Sequence, residues 1–140
     1  MVPVFLPYRD DFQVDFDKIE RYAKFLKSRQ VNAVLINSTA GEGMSLNVEE
    51  RKKVAEKWSE VCKQLDLILM VHISGCSYPD VVELAKHAAE LNVDAVLCLP
   101  ELYFKPKTVE KLVKYLKDIS VNCPNTPLYY NHIPIFSDVD

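Results

Sequence analysis

The chain has 140 residues, enough for one domain or part of a larger one, and for burying roughly two thirds of the surface an unfolded chain exposes. Its 49% hydrophobic and 26% charged residues are ordinary globular proportions. A net charge of −3 without a basic run argues against a nucleic-acid binder, and no apolar run nears the roughly 18 residues of a membrane helix. The start, Met1-Val2-Pro3-Val4-Phe5-Leu6-Pro7, carries no charge and is broken by proline, unlike a signal peptide. Cys62, Cys76, Cys98 and Cys123 are widely spaced and form no C-x-x-C pair. They read as reduced, mostly buried thiols of a cytoplasmic protein, with neither a disulfide framework nor a metal centre.

Residues 2–6 read as a short buried strand, frayed at its start by Pro3. A mainly polar loop follows over residues 7–14. Asp15 stands where a helix cap belongs, and Phe16, Ile19, Tyr22, Ala23 and Leu26 recur behind it at helical spacing. Residues 32–37 form the second predicted strand. Asn47 and Glu50 make a capping-box pattern before a helix with Val54, Ala55, Trp58, Val61, Cys62 and Leu65 on one face. Residues 67–73 are a third strand, interrupted by His72. Ser77 and Pro79 start a third helix with the stripe Val81, Leu84, Ala85, Ala88 and Leu91. Residues 95–99 are the fourth strand. Thr108 caps a fourth helix whose inner residues are Leu112, Val113, Tyr115, Leu116 and Ile119. Residues 127–131 are the fifth strand, and 132–140 read as loop.

Strand and helix thus alternate, with a helix-sized spacer between successive strands. That order predicts an α/β fold with a parallel sheet and right-handed helical crossovers. Strands apolar on both faces agree with burial on both sides. The pattern leaves a doubly wound sheet and a run of barrel units both open. No G-x-G-x-x-G follows the first strand, so a dinucleotide site has no support.

The stretch Asn37-Ser38-Thr39-Ala40-Gly41-Glu42-Gly43 organises the reading. A buried strand runs into small and polar residues, then a helix begins. Sites in parallel α/β folds form at this end of the strands. Hydroxyls with free backbone N–H groups suit a carboxylate or a phosphate. A plain strand-to-helix turn fits the same pattern.

The motif Asn37-Ser38-Thr39-Ala40-Gly41-Glu42-Gly43, followed by Ser45-Leu46 and Glu49-Glu50-Arg51, resembles the N-acetylneuraminate lyase and dihydrodipicolinate synthase family. Tyr129-Tyr130-Asn131-His132-Ile133-Pro134 is similar to the family's fifth strand, and its His-Ile-Pro resembles that of the sialic acid lyases. Leu6-Pro7, Leu84-Ala85-Lys86-His87-Ala88-Ala89 and Phe104-Lys105-Pro106 fit as well, so the resemblance covers essentially the whole chain. It implies an incomplete TIM (β/α)8 barrel, roughly the first five strands and four helices, as one partial domain over residues 1–140. It implies a homo-oligomeric aldolase acting on pyruvate or a sialic acid-like molecule. In that chemistry a lysine forms an imine with the keto carbon, and the imine stabilises the developing carbanion. No cofactor and no metal enter. The substrate-binding set it implies is Ser38, Thr39, Ala40 and Gly41, which hold the pyruvate carboxylate.

The chain departs from the family at three places. The family's lysine follows the sixth strand, and these residues stop soon after the fifth. Asn131 stands at the position of the proton-relaying tyrosine, and an amide cannot shuttle a proton. Tyr130 is the neighbouring phenol, which would serve only if a bulge turned it to the other face. Ala40 replaces the second hydroxyl of the loop and keeps only its backbone N–H. Lys86 and Lys105 read as solvated, His72 as a core histidine, Glu42 as a structural carboxylate and Tyr103 as packing. His132 lies in the right loop for a substrate contact.

A half barrel with open edges is expected to associate with another chain. A fragment, a splice product or a degenerate copy of a longer ancestor would each look like this. Three readings follow: a sialic acid lyase inactive as this chain, a non-catalytic relic or interaction protein, and a dihydrodipicolinate synthase-like enzyme.

Overall fold

The structure is a computed structural model and describes residues 1–139. Five parallel strands alternate with helices: β1 (Val2–Pro3), α1 (Phe16–Ser28), β2 (Ala33–Ile36), α2 (Val48–Leu65), β3 (Ile68–His72), α3 (Tyr78–Glu90), β4 (Ala95–Cys98), α4 (Val109–Ser120) and β5 (Leu128–Tyr130). A short α5 (Pro134–Ser137) follows, and one 3₁₀ turn spans Gly43–Ser45. The chain divides into two compact units at Val71 and His72.

In the first unit β1 pairs with β2 and β2 with β3, all parallel, with Val2 opposite Val34 and Leu35 opposite Met70. β1 is shorter than the apolar run that contains it. Pro3 has no N–H to give a ladder, and among the described residues its strand pairs with β2 alone. The Val4 N–H still donates to the Leu35 carbonyl at 3.0 Å. Val34, Ile36, Ile19, Ala23, Val54, Trp58 and Val61 form the core here. Trp58 is fully buried and meets Tyr22 edge to face, with ring centroids 6.1 Å apart, which pins α1 to α2. The capping box of α2 is complete: Glu50 N–H donates to Asn47 Oδ1 and Asn47 N–H to Glu50 Oε2, each at 2.9 Å. Asp15 occupies the cap position of α1 as expected but makes no capping bond. Its carboxylate instead takes Lys18 Nζ at 2.9 Å, and that bond holds its pKa below the usual carboxylate range.

The second unit begins as β3 ends. The Ile73 N–H donates to the Leu97 carbonyl at 3.0 Å, and β4 pairs in parallel with β5, with Cys98 opposite Tyr130. Ile73, Val81, Leu84, Ala85, Val96, Cys98, Leu112 and Ile119 make its core. Ser77 and Thr108 cap α3 and α4 through the N–H groups of Asp80 and Lys111. Two expectations about the elements of this unit fail. Val113 is 41% exposed, because the buried side of α4 runs through Leu112 and Ile119 and leaves Val113 beside it. Residues 132–140 are not all loop: Ile133 is the cap and Pro134 the first residue of α5, where a preset φ and a missing N–H cost nothing. Among the described residues none of the four cysteines is in a disulfide, and Cys62, Cys98 and Cys123 are buried.

Several reversals of the chain use left-handed residues other than glycine. Gln30, Asp66 and Asn92, with φ of 64°, 51° and 53°, follow α1, α2 and α3.

Candidate functional site

The loop after β2 is fixed from its backbone outward. Asn37 is 2% exposed, has a left-handed φ of 56°, and donates Nδ2–H to the Arg51 carbonyl at 3.1 Å. Gly43 packs directly on it: a Cβ added there would lie 2.0 Å from the Asn37 carbonyl oxygen. A Cβ on Gly41 would stand 3.0 Å from the Val4 carbonyl oxygen. The Ser38 carbonyl accepts the N–H groups of Gly41 and Gly43, both at 3.1 Å, and the Thr39 carbonyl accepts that of Glu42 at 3.1 Å. Three consecutive N–H groups are thereby spent on turning the chain.

The two before them are not. Among the described residues, neither the Thr39 nor the Ala40 N–H makes a backbone hydrogen bond. Thr39 is exposed and Ala40 half-buried. Two adjacent N–H groups without backbone partners, beside a hydroxyl, are donors of the kind a carboxylate accepts. Ser38 is placed differently. It is 8% exposed, and its buried Oγ, like Asn37 Oδ1, finds no hydrogen-bond partner among the described residues. Gly41 is buried and serves the turn. The predicted binding set is thus contiguous, and Thr39 and Ala40 are the members that are not buried and whose N–H groups the turn does not use. Glu42, left-handed at φ 51° and exposed, lines a neighbouring cleft of about 720 Å³ with Tyr8, Arg9 and Glu50. Burial of the Tyr8 phenol raises its pKa, and the charges of Glu42 and Glu50 add to the effect.

In the second unit the residues around β5 keep a regular pleat. Tyr129 lies opposite Leu97 and is 55% exposed; Tyr130 lies opposite Cys98, which is fully buried. No bulge interrupts this register. The Asn131 N–H extends it by donating to the Cys98 carbonyl at 2.8 Å. Alternation therefore puts Asn131 on the Tyr129 side and Tyr130 on the other. The Tyr130 hydroxyl lies 3.4 Å from His132 Nδ1, and the two rings are 5.6 Å apart. Burial pushes the Cys98 thiol up to about 12.

His72 belongs to a buried polar group, with Nε2 3.3 Å from Ser74 Oγ, which also accepts the Leu99 N–H at 2.6 Å. Lys86 is exposed on α3. Lys105 is not simply solvated: its Nζ contacts Asp138 Oδ1 at 3.1 Å and the Ile135 carbonyl at 3.4 Å, a tie to a distant segment that residue spacing could not signal. Nor does Tyr103 pack inside. It is 84% exposed, meets Phe104 edge to face at 4.8 Å, and lines a cleft of about 530 Å³ with Tyr78 and Tyr115. Among the described residues no group of His, Cys, Asp or Glu is arranged to hold a metal ion, and no helix is long and apolar enough to cross a membrane.

The sequence reading missed what Asn37 does. A buried side chain tied to the helix that follows, on a residue with positive φ, left one trace: asparagine is among the few residues that tolerate that backbone.

N-acetylneuraminate lyase of Pongo abelii is 36% identical over 135 residues, covering 95% of this chain and 42% of that protein. N-acetylneuraminate lyase A of Xenopus laevis is 37% identical over 131 residues, covering 93% and 43%. The solved N-acetylneuraminate lyase of Proteus mirabilis superposes with a TM-score of 0.90 at 34% identity, over 99% of this chain and 47% of that one. The chain thus spans less than half the length of the relatives it matches, and its strand–helix order is that of TIM-barrel aldolases over that part. The dihydrodipicolinate synthetase family model matches residues 1–140, the full length, and the chain belongs to that family.

Proposed function

We propose that these residues supply the carboxylate-holding part of an N-acetylneuraminate lyase-like aldolase, in which Thr39 and Ala40 receive the carboxylate of pyruvate or of the sialic acid that yields it. The observation that supports this reading is the pair of unspent N–H groups at Thr39 and Ala40, beside the Thr39 hydroxyl, at the end of a buried parallel strand. Ser38 and Gly41 complete the set as the turn that aims those donors. The identity to lyases of sialic acid, at 36–37% in two vertebrates, favours that substrate over the one used by dihydrodipicolinate synthases. The family's reaction has three needs: a fixed carboxylate, an amine that forms the imine, and a group that moves the proton. The loop answers the first.

Among the described lysines none is poised for the second: Lys86 is exposed on α3 and Lys105 is paired with Asp138. At the position of the proton-relaying tyrosine, Asn131 offers an amide that orients an oxygen without exchanging protons with it. Tyr130 lies on the opposite side of the strand by the register. The 140-residue polypeptide by itself therefore binds and does not cleave.

Two measurements test the reading. Pyruvate is titrated while the amide resonances of Thr39 and Ala40 are followed; both shift, Thr39→Val weakens the effect, and Ala40→Thr strengthens binding about tenfold through one added hydrogen bond to a charged group. Amides that stay still at saturating pyruvate overturn the binding role. Borohydride is then added with pyruvate and the intact mass is read. No covalent adduct is expected, and a trapped lysine would refute the claim that the polypeptide is inactive.

A further inference from the structure

Asn37, the first residue after β2, has a side chain whose energetics point past stability. It is 2% exposed, and its Nδ2–H donates to the Arg51 carbonyl at 3.1 Å. Its Oδ1 is buried with no partner among the described residues. One hydrogen bond gained and one buried oxygen left unpaired roughly cancel, so the amide adds little net stability. The backbone there is also left-handed, at a φ of 56°, which glycine adopts at less cost. What the residue supplies is geometry. Arg51 lies in the first turn of α2, its own N–H on the Asn47 carbonyl at 3.0 Å. The Asn37 amide therefore bridges the end of β2 to the start of α2 and closes the base of the loop between them. Gly43 seats on the Asn37 carbonyl, and a Cβ on Gly41 would stand 3.3 Å from the Asn37 backbone nitrogen. The Ser38 carbonyl then gathers the Gly41 and Gly43 N–H groups, and Thr39 and Ala40 stand inside the turn so closed.

We propose that Asn37 is a positioning residue for carboxylate binding: by fixing the base of the loop to α2, its side-chain amide holds the Thr39 and Ala40 N–H groups in the directions a carboxylate needs. The inference rests on the reading that those two residues receive the carboxylate. Asn37 is itself buried and acts on the ligand through the main chain. Hydrogen bonds weaken steeply as they bend, and two donors serve one carboxylate only while both are aimed. A small swing of the loop is therefore felt in affinity before it is felt in stability. Asn37→Gly separates the two contributions, because it keeps the left-handed backbone and removes the bridge.

The test measures pyruvate affinity and melting temperature on the full 140-residue chain and its variants. Affinity is read from the Thr39 and Ala40 amide resonances. Asn37→Gly is expected to stay folded and to weaken pyruvate binding at least about tenfold. Thr39→Val supplies a second measurement that a merely structural role would not move. Once the loop is no longer aimed, the Thr39 hydroxyl has little left to contribute. The loss that Thr39→Val causes in the native chain should therefore shrink to under about twofold in the Asn37→Gly background. The proposal is overturned if Asn37→Gly binds pyruvate within about twofold of the native chain, or if the two losses simply multiply. It is also overturned if Asn37→Gly unfolds, since a side chain whose gain and cost cancel is not one the fold depends on. Native Thr39 and Ala40 amides that stay still at saturating pyruvate would instead remove the carboxylate reading, and this inference with it. Amides that shift alike in the native chain and in Asn37→Gly leave that reading standing and deny Asn37 its role.

Discussion

The loop after β2 and the segment after β5 end comparable parallel strands, yet they are specified in different ways. Residues 37–43 are locked by backbone contacts. Gly43 seats on Asn37, two N–H groups converge on the Ser38 carbonyl, and an asparagine side chain ties the loop to α2. Residues 130–133 are held by the register of Tyr130 with Cys98, the Asn131 N–H on the Cys98 carbonyl, the Phe136 N–H on the Ile133 carbonyl, and a loose Tyr130–His132 contact at 3.4 Å. The first region keeps its backbone donors in place whatever side chain stands at position 40. The second depends on which residue stands at position 131, and there a single change alters the chemistry. Loops whose geometry lies in the main chain tolerate the loss of a side chain; loops whose chemistry lies in a side chain do not.

That contrast can be broken most forcefully at Gly43. Gly43→Ala drives a methyl group into the Asn37 carbonyl and is expected to cost about 3 kcal/mol, measured by urea denaturation. A loss below about 1 kcal/mol would mean the loop yields and is not locked. On the β5 side the strongest effect is expected in alkali. A thiol whose folded pKa lies above its unfolded value contributes fully below the unfolded pKa, near 8.5, and loses that contribution as pH rises through the folded value. With Cys98 raised to about 12, stability should fall between those limits by up to about 1.4 kcal/mol per pH unit, and Cys98→Val should flatten that slope. Equal slopes in the two proteins would assign the alkaline loss to other groups.

A smaller effect sharpens the comparison from the first unit. Asn47→Ala removes one half of the capping box behind the loop and is expected to cost about 1 kcal/mol of thermal stability. The smallest is Tyr130→Phe. Its hydroxyl makes one long contact to an exposed histidine, so less than about 0.5 kcal/mol should change, and a larger loss would show that the segment after β5 is better ordered than its bonds imply.

The alternation of strand and helix was legible because each helix carries its own start signal and apolar stripe. Asn47 with Glu50, and Ser77 with Pro79, are local chemistry that acts within one turn, so spacing alone reveals them. Asp15 was recognised as a cap by position, and its bond went elsewhere because Lys18 stands one turn away and competes for the same carboxylate. What stayed hidden depends on residues far apart in sequence. Lys105 reaches Asp138, the Leu99 N–H ends on Ser74, and Val113 faces outward because of what α4 packs against. In the loop after β2 the residue types were readable. Which N–H groups the turn consumes was not, because that follows from the dihedral angles of Asn37 and Glu42.

The glycine-poor helix ends carry a consequence for the chain before it folds. Only three glycines occur in 140 residues, and none of them serves the left-handed positions at Gln30, Asp66 and Asn92. Each side chain there costs the native state about 1 kcal/mol of steric strain. Each also narrows the wandering of the free polypeptide, which a glycine would widen. The helices are thus delimited by residues that penalise the finished fold a little and shrink the search that precedes it.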